Sequence, residues 1–308
     1  MSYALFSVPF QAKRIDVGPV IPEEGSEAQV AAFPRSPARH AQADPAYRAF
    51  KVTPLASGAL LFSAVRNRGG RDAFGRPVLH ANGCILHVES LLGPERDPAA
   101  VLMALDSWSE SDGESSFAEK LSAVSAWSSE TAFEAMRSRL AGEPQFHAEA
   151  ALALTQARAT FSWSPREEIL PLLQPVLVLL SVRQLARIDL ATGSADSNHR
   201  EAILGIAGND PGPASERAGF LTQLLGRSRE ARVDFHRHTA TGSHGPRDLV
   251  DAIATPSDWG LSSCERLRLL LQCLDAGVLP PEAAALPEEA QRTLRRVEAW
   301  SRRIGEGK

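Results

Sequence analysis

Two apolar runs joined by a glycine-rich connection constrain this chain most. Gly58-Ala-Leu-Leu-Phe-Ser-Ala-Val65 ends shortly before Gly69-Gly70, and Cys84-Ile-Leu-His-Val-Glu89 resumes the apolar pattern. Runs of this length bounded by turn residues read as neighbouring strands. The segment between them, Asn67 to Pro77, holds three glycines and a proline and is expected to be a long hairpin-like connection. Exposed connections of this kind are where recognition residues concentrate.

After these strands the periodicity turns helical. Residues 98–105, 128–140 and 146–158 are predicted helices; Asp97 suits the cap of the first and Pro98 its first turn, where a missing N–H costs nothing. Glu110 to Ser116 is small and acidic and reads as a surface loop. Ala159 to Ser164 alternates as a strand does. The apolar, proline-containing segment 169–182 reads as buried core, and Leu185 to Leu190 as a further strand. Gly, Ser, Asp, Asn and Pro crowd residues 191–199 and 208–215, which places a domain boundary near 210.

Beyond that boundary the pattern is mainly helical, from a helix over 215–225 onward, with a short strand at Arg232–His236. Ser262-Ser-Cys-Glu265 fits a capping box ahead of Leu267, Leu270, Leu271 and Leu274, and Gly277 supplies the stop. A last helix, Pro287 to about Arg303, carries Arg292, Arg295, Arg296, Arg302 and Arg303 opposite Leu294, Val297 and Trp300. The expected fold is α+β. A mixed amino-terminal domain with a mostly antiparallel sheet (1–210) precedes a mainly helical carboxy-terminal region (211–308).

Composition narrows the function classes. With 33 Lys plus Arg against 37 Asp plus Glu, the 308-residue chain has a formal charge of −4, so no global basic field exists to neutralise a phosphate backbone and nucleic acid is not an expected partner. The basic strip Arg66-Asn67-Arg68 with Arg71 and Arg76 is local. Three widely spaced cysteines, Cys84, Cys264 and Cys273, argue against a disulfide framework and suit a reducing, cytoplasmic setting. Met1 to Phe10 lacks the basic and apolar regions of a signal peptide, and the longest apolar run, 169–180, is too short and proline-interrupted to span a bilayer.

Chemistry-bearing motifs are sparse. Asp234-Phe-His-Arg-His-Thr239, followed by Ser243 and Gly245, resembles the opening motif of the polymerase-and-histidinol-phosphatase metal hydrolases. On a strand, alternation would put His236 and His238 on one face, where both imidazoles could reach one metal ion. That family needs later histidines, and none follows His244. A metal-dependent hydrolase built on this half-site is therefore the alternative reading. Cys84 and His87, three apart on a strand, face opposite sides and do not form a dyad. Neither phosphate-binding glycine motif, Gly-x-x-x-x-Gly-Lys-Ser/Thr nor Gly-x-Gly-x-x-Gly, occurs. No cofactor and no catalytic role are expected.

Three segments together are similar to the amino-terminal region of the bacterial GTPase-associated protein family. They are Arg71-Asp-Ala-Phe-Gly-Arg-Pro-Val-Leu-His80, the strand Cys84–Leu91, and Leu177 to Gly193, a leucine-rich helix leading to Ala191-Thr192-Gly193. The resemblance implies a non-catalytic adaptor that contacts a small GTPase or another component of a multi-component bacterial system. Arg68, Arg71, Asp72 and Arg76 are then the partner-binding residues, because a charged, glycine-rich loop presents guanidinium forks to carboxylates or phosphates.

Overall fold

The computed structural model describes residues 3–10, 32, 47–71, 77–91, 93–154, 159–163, 168–180, 182–192, 203–207, 231–241, 259–261, 269–270, 272–273 and 276–306. The fold is α+β. Among the described residues nine strands form one sheet: β1 (Ala4–Phe10), β2 (Arg48–Pro54), β3 (Ala59–Arg71), β4 (Pro77–His87), β5 (Ala159–Trp163), β6 (Leu190–Thr192), β7 (Ile203–Ala207), β8 (Ala231–Asp234) and β9 (Thr239–Thr241). Their spatial order is β1-β4-β3-β2-β6-β7-β5-β8-β9. The β1-β4-β3-β2-β6 half is antiparallel throughout, whereas β6, β7, β5 and β8 run parallel and β9 turns back on β8. Strands β8 and β9 thus extend the same sheet from beyond residue 210.

Buried residues on successive positions of β3 explain its apolar run. Leu60, Phe62 and Ala64 enter the main core, while Leu61 and Val65 enter a smaller cluster on the opposite face with Tyr47, Ala49, Leu79 and Ala81. Both faces of the antiparallel half are therefore covered, which period-two burial of apolar residues on both sides requires. The glycine-rich connection proves shorter than its composition implies. The β3–β4 ladder continues to the Arg71–Pro77 pair through an irregularity between Asn67 and Arg71, where Gly69 takes a φ of 77° and Asn67 Oδ1 accepts the Gly69 N–H at 2.8 Å. Burial ends near Asn67, so the last residues of β3 form an exposed arm.

The helices α1 (Pro98–Ser107), α2 (Gly113–Val124), α3 (Glu130–Gly142), α4 (Pro144–Leu154) and α5 (Ile169–Leu177) pack over the main-core face. Asp97 caps α1, accepting the Ala100 N–H at 3.1 Å, and Ser129 caps α3 through Ala132 at 3.1 Å. Seven of the ten residues of α1 are buried, and it lies between β3 on one side and α2 and α5 on the other.

Three local expectations are corrected. The acidic stretch 110–116 is not a loop: a capping box between Ser109 and Asp112 starts a 3₁₀ turn that leads into α2, which is held by Phe117 and Leu121 one turn apart and fully buried. Leu185 to Leu190 is not a strand. A four-residue helix, α6 (Val182–Leu185), is followed by turn hydrogen bonds from Arg187 N to Gln184 O and Ile188 N to Leu185 O, and extended pairing begins only at Leu190. The third is the pair His236 and His238, which sit on the turn after β8 and not on a strand.

The last helix, α7 (Glu288–Glu306), buries Ala290, Leu294 and Val297 and exposes Arg292, Arg295 and Arg296. Arg292 and Arg302 pair with Glu288 and Glu298 one turn back, the arrangement that solvates an exposed helix face. The predicted helices over 215–225 and 262–274 fall largely or wholly outside the described residues, as does Cys264. Among the described residues no helix is long and apolar enough to cross a membrane.

Candidate functional site

The exposed arm of β3 and the carboxy-terminal end of α1 meet at a buried asparagine. Asn82 interrupts the apolar run of β4 and is only 1% exposed. Its Nδ2 donates to two carbonyls where α1 ends, Leu105 O at 2.9 Å and Trp108 O at 2.7 Å. The last carbonyls of a helix have no partners within it, and Asn82 supplies one from the sheet. Its Oδ1 accepts from Ser7 Oγ at 3.0 Å and, more weakly, from Arg68 Nη2 at 3.4 Å. One polar side chain in the core thereby ties β1, β3, β4 and α1 together.

Arg66 reinforces the same junction. It stands opposite His80 across the β3–β4 ladder, and its Nη2 also donates to Trp108 O at 3.2 Å. Arg66 Nε is buried with no hydrogen-bond partner among the described residues. Together Arg66 and Arg68, with Ser107, Ser109 and Asp112 opposite, line an open groove of about 680 Å³. Its acidic member is already engaged: Asp112 pairs with Lys120 at 2.5 Å and accepts from the Ser109 N–H at 3.2 Å, which holds its carboxyl below the usual carboxylate range. No carboxylate among the described residues forms an ion pair with Arg66 or Arg68. The cationic field is felt by His80, whose pKa is lowered first by burial and then by Arg68 and Arg66.

A second carboxylate borders this region from below. Asp106 lies 3.5 Å from Arg48 Nη1, which is also 3.8 Å from Glu168. Burial pushes the Asp106 carboxyl up against the opposing pull of Arg48 and Arg66, and its Oδ1 is buried without a hydrogen bond.

Of the residues predicted to bind a partner, Arg68 and Arg71 lie exposed on the arm, while Asp72 and Arg76 fall outside the described residues. Sequence reading missed Asn82 as the residue that organises the site, together with Ser107 and Asp112 across the groove. The available signal was a polar residue, Asn82, set between the apolar positions Leu79, Ala81 and Cys84.

The histidine motif adopts a different geometry from the one alternation implies. Strand β8 stops at Asp234, whose Oδ1 accepts the N–H groups of His236 at 2.9 Å and Arg237 at 3.0 Å. That side-chain turn ends the strand before the histidines, so His236 and His238 sit on the β8–β9 turn, exposed, and His238 has a left-handed φ of 48°. Phe235 points the other way, 3% exposed, packed edge-on against Phe146 and Phe161. His238 Nδ1 meets the Glu143 carboxylate, and its ring lies 5.4 Å from that of Phe146. His147, buried on α4, is close enough to His238 for the two to interact electrostatically. Among the described residues no group of three or more His, Cys, Asp or Glu side chains is arranged to hold a metal ion.

The described cysteines are unreactive in setting. Cys84 is fully buried and its thiol is pushed far above the ordinary value by burial and by Glu95 and Glu114; Cys273 is pushed up to about 11, mainly by burial. Comparison of the chain with protein families, with curated proteins and with solved structures finds no match to any of them.

Proposed function

We propose that the protein is a non-catalytic adaptor that binds a protein partner through the arm formed by the end of β3 and the start of β4. One observation carries this reading: the arm exposes Arg68 and Arg71 beyond the last buried residues of the sheet, on the irregular stretch between the Asn67–Leu79 and Arg71–Pro77 pairs. The planar guanidinium fork loses less freedom per hydrogen bond formed than a lysine does, and arginine is, with tryptophan and tyrosine, among the side chains enriched as anchors of protein interfaces. The similarity of residues 71–80, 84–91 and 177–193 to the bacterial GTPase-associated family supports a small GTPase, or another component of a multi-component bacterial system, as the partner. A cytoplasmic location, with residues 1–210 as the interaction domain and the mainly helical 211–308 as its support, belongs to the same reading.

The test is co-purification from the native host. Tagged protein is expected to retain a GTP-binding partner, and Arg71→Ala plus Arg76→Ala is expected to release it while the thermal melt stays unchanged. Retention of the partner by the double variant would remove the arm from the interface.

A further inference from the structure

The groove beside the arm has a chemistry narrower than a basic surface. Its cationic wall is built from two guanidinium groups held differently. Arg66 is half-buried and fixed by its Nη2 bond to the Trp108 carbonyl, and its Nη1 has no hydrogen bond among the described residues. Arg68 is exposed and, among the described residues, its side chain is held only by its 3.4 Å contact with Asn82. The opposite wall is spent. Ser107 Oγ donates to Ala104 O at 3.1 Å, Ser109 Oγ to Asp112 at 2.9 Å, and Lys120 bridges Asp112 and the Ser107 carbonyl.

From this we infer that the groove seats a single carboxylate, carried by an acidic segment of the partner, between Arg66 and Arg68. The inference rests on the adaptor reading above for the existence of that partner. Three features select this occupant. Arg66 and Arg68 offer the groove guanidinium N–H groups with no hydrogen bond among the described residues, and these match a carboxylate's two oxygens. The groove is open along its length and so admits a side chain still attached to a chain lying across it, rather than enclosing a small molecule. Asp112 is neutralised by Lys120 at 2.5 Å, so the attraction comes from Arg66 and Arg68 alone and suits one anionic group held between them.

The experiment follows the arginine Nε–Hε signals of the full chain by NMR while hexaglutamate is added, with hexalysine and inorganic phosphate as separate probes. Hexaglutamate is expected to shift the Arg66 and Arg68 signals saturably. Binding should weaken about tenfold in Arg68→Gln, a loss of one charge-assisted contact, and weaken again on raising salt. Hexalysine should shift neither signal. The inference is overturned if hexaglutamate leaves both signals unmoved, if Arg68→Gln binds it as tightly as the parent, or if phosphate at equal concentration produces the larger response. Because Arg68 differs from the pair exchanged in the co-purification, the two readings fail separately. Partner loss on Arg71→Ala plus Arg76→Ala without hexaglutamate binding keeps the adaptor and removes the seat, and the converse result keeps the seat and removes Arg71 and Arg76 from the interface.

Discussion

Phe6 on β1 lays its ring across Gly83 on the neighbouring strand β4, directly opposite it in the register, so that a methyl group on Gly83 would run into the tip of the ring. A glycine in a central strand forfeits packing and backbone entropy, and an aromatic ring from the adjacent strand recovers part of that loss by covering it. Gly83→Ala is therefore expected to destabilise the protein by about 1–3 kcal/mol, the range for overpacking a filled site. In a Phe6→Ala background the same change should cost much less, because the obstacle is gone. Urea unfolding of the four proteins in that cycle checks the coupling; equal costs in both backgrounds would show that the ring is free to move aside.

Asn82 presents the opposite case, a buried polar group whose removal leaves others stranded. Asn82→Ala withdraws the donor shared by the Leu105 and Trp108 carbonyls. Unsatisfied buried acceptors cost about 1–3 kcal/mol. Each carbonyl keeps one weaker donor, the Trp108 N–H for Leu105 at 3.3 Å and Arg66 Nη2 for Trp108 at 3.2 Å, so we expect a loss of about 1 kcal/mol by urea unfolding, at the lower end of that range. Amide exchange should show α1 fraying first at its carboxy-terminal end.

Strands β3 and β4 were legible in the sequence as apolar runs bounded by turn residues, and burial of β3 on both faces, Leu60 and Phe62 on one and Leu61 and Val65 on the other, is why its run is continuous. Asp97 was equally readable as a cap, since its role is set within three residues along the chain, whereas Ser129, which caps α3, lay inside the predicted helix 128–140. The candidate site was half legible. Arg68 and Arg71 stood out as a charged strip beside a glycine pair, yet the groove depends on Asn82 meeting the end of α1 more than twenty positions away, a contact no local pattern encodes. The misreading of His236 and His238 has a more local cause. Alternation places them side by side only while the strand lasts, and the Asp234 carboxylate ends it by capturing two backbone N–H groups that a continuing ladder would have used. Acidic residues 110–116 misled for a similar reason: composition pointed to a loop, while Phe117 and Leu121, just beyond, supplied the buried face of a helix.

His80 and His147 should both titrate below the ordinary histidine value of 6.5, each chiefly because burial disfavours the imidazolium. Only His80 also feels Arg68 and Arg66 as leading neighbours. Arg68→Gln is accordingly expected to raise the His80 midpoint and leave that of His147 in place, as read from imidazole proton shifts by NMR. The consequence for stability has a definite sign. The unfolded chain takes up these protons first as pH falls, so the two histidines weaken the fold as pH drops through the ordinary value and contribute nothing to its pH dependence well above it. A His80 midpoint unmoved by Arg68→Gln would mean that the guanidinium is screened from the ring by water.

Asp97 allows a sharper test, because burial and hydrogen bonding act on it in opposite directions. The carboxylate is fully buried and accepts from Ala100 N at 3.1 Å, Ala126 N at 3.0 Å and Gln174 Nε2 at 2.6 Å, while Arg139 steadies Gln174 from the other side at 2.8 Å. Burial prevails, and the carboxyl is held above its ordinary range despite those three donors. A raised carboxyl pKa in the folded state means that the native protein binds more protons than the unfolded chain in the interval between the two values, so this group's contribution to stability falls as pH rises across that interval. Asp97→Asn removes the titration and turns an N–H toward a donor that the carboxylate had satisfied, so the variant should be less stable at every pH. The gap between the two proteins should be widest at the acid end and narrow as pH rises, until it levels off above the folded-state pKa. Urea unfolding of both proteins from mildly acidic to neutral pH measures that gap. A gap that widens with rising pH would show that the three donors outweigh burial and hold the carboxylate ionised.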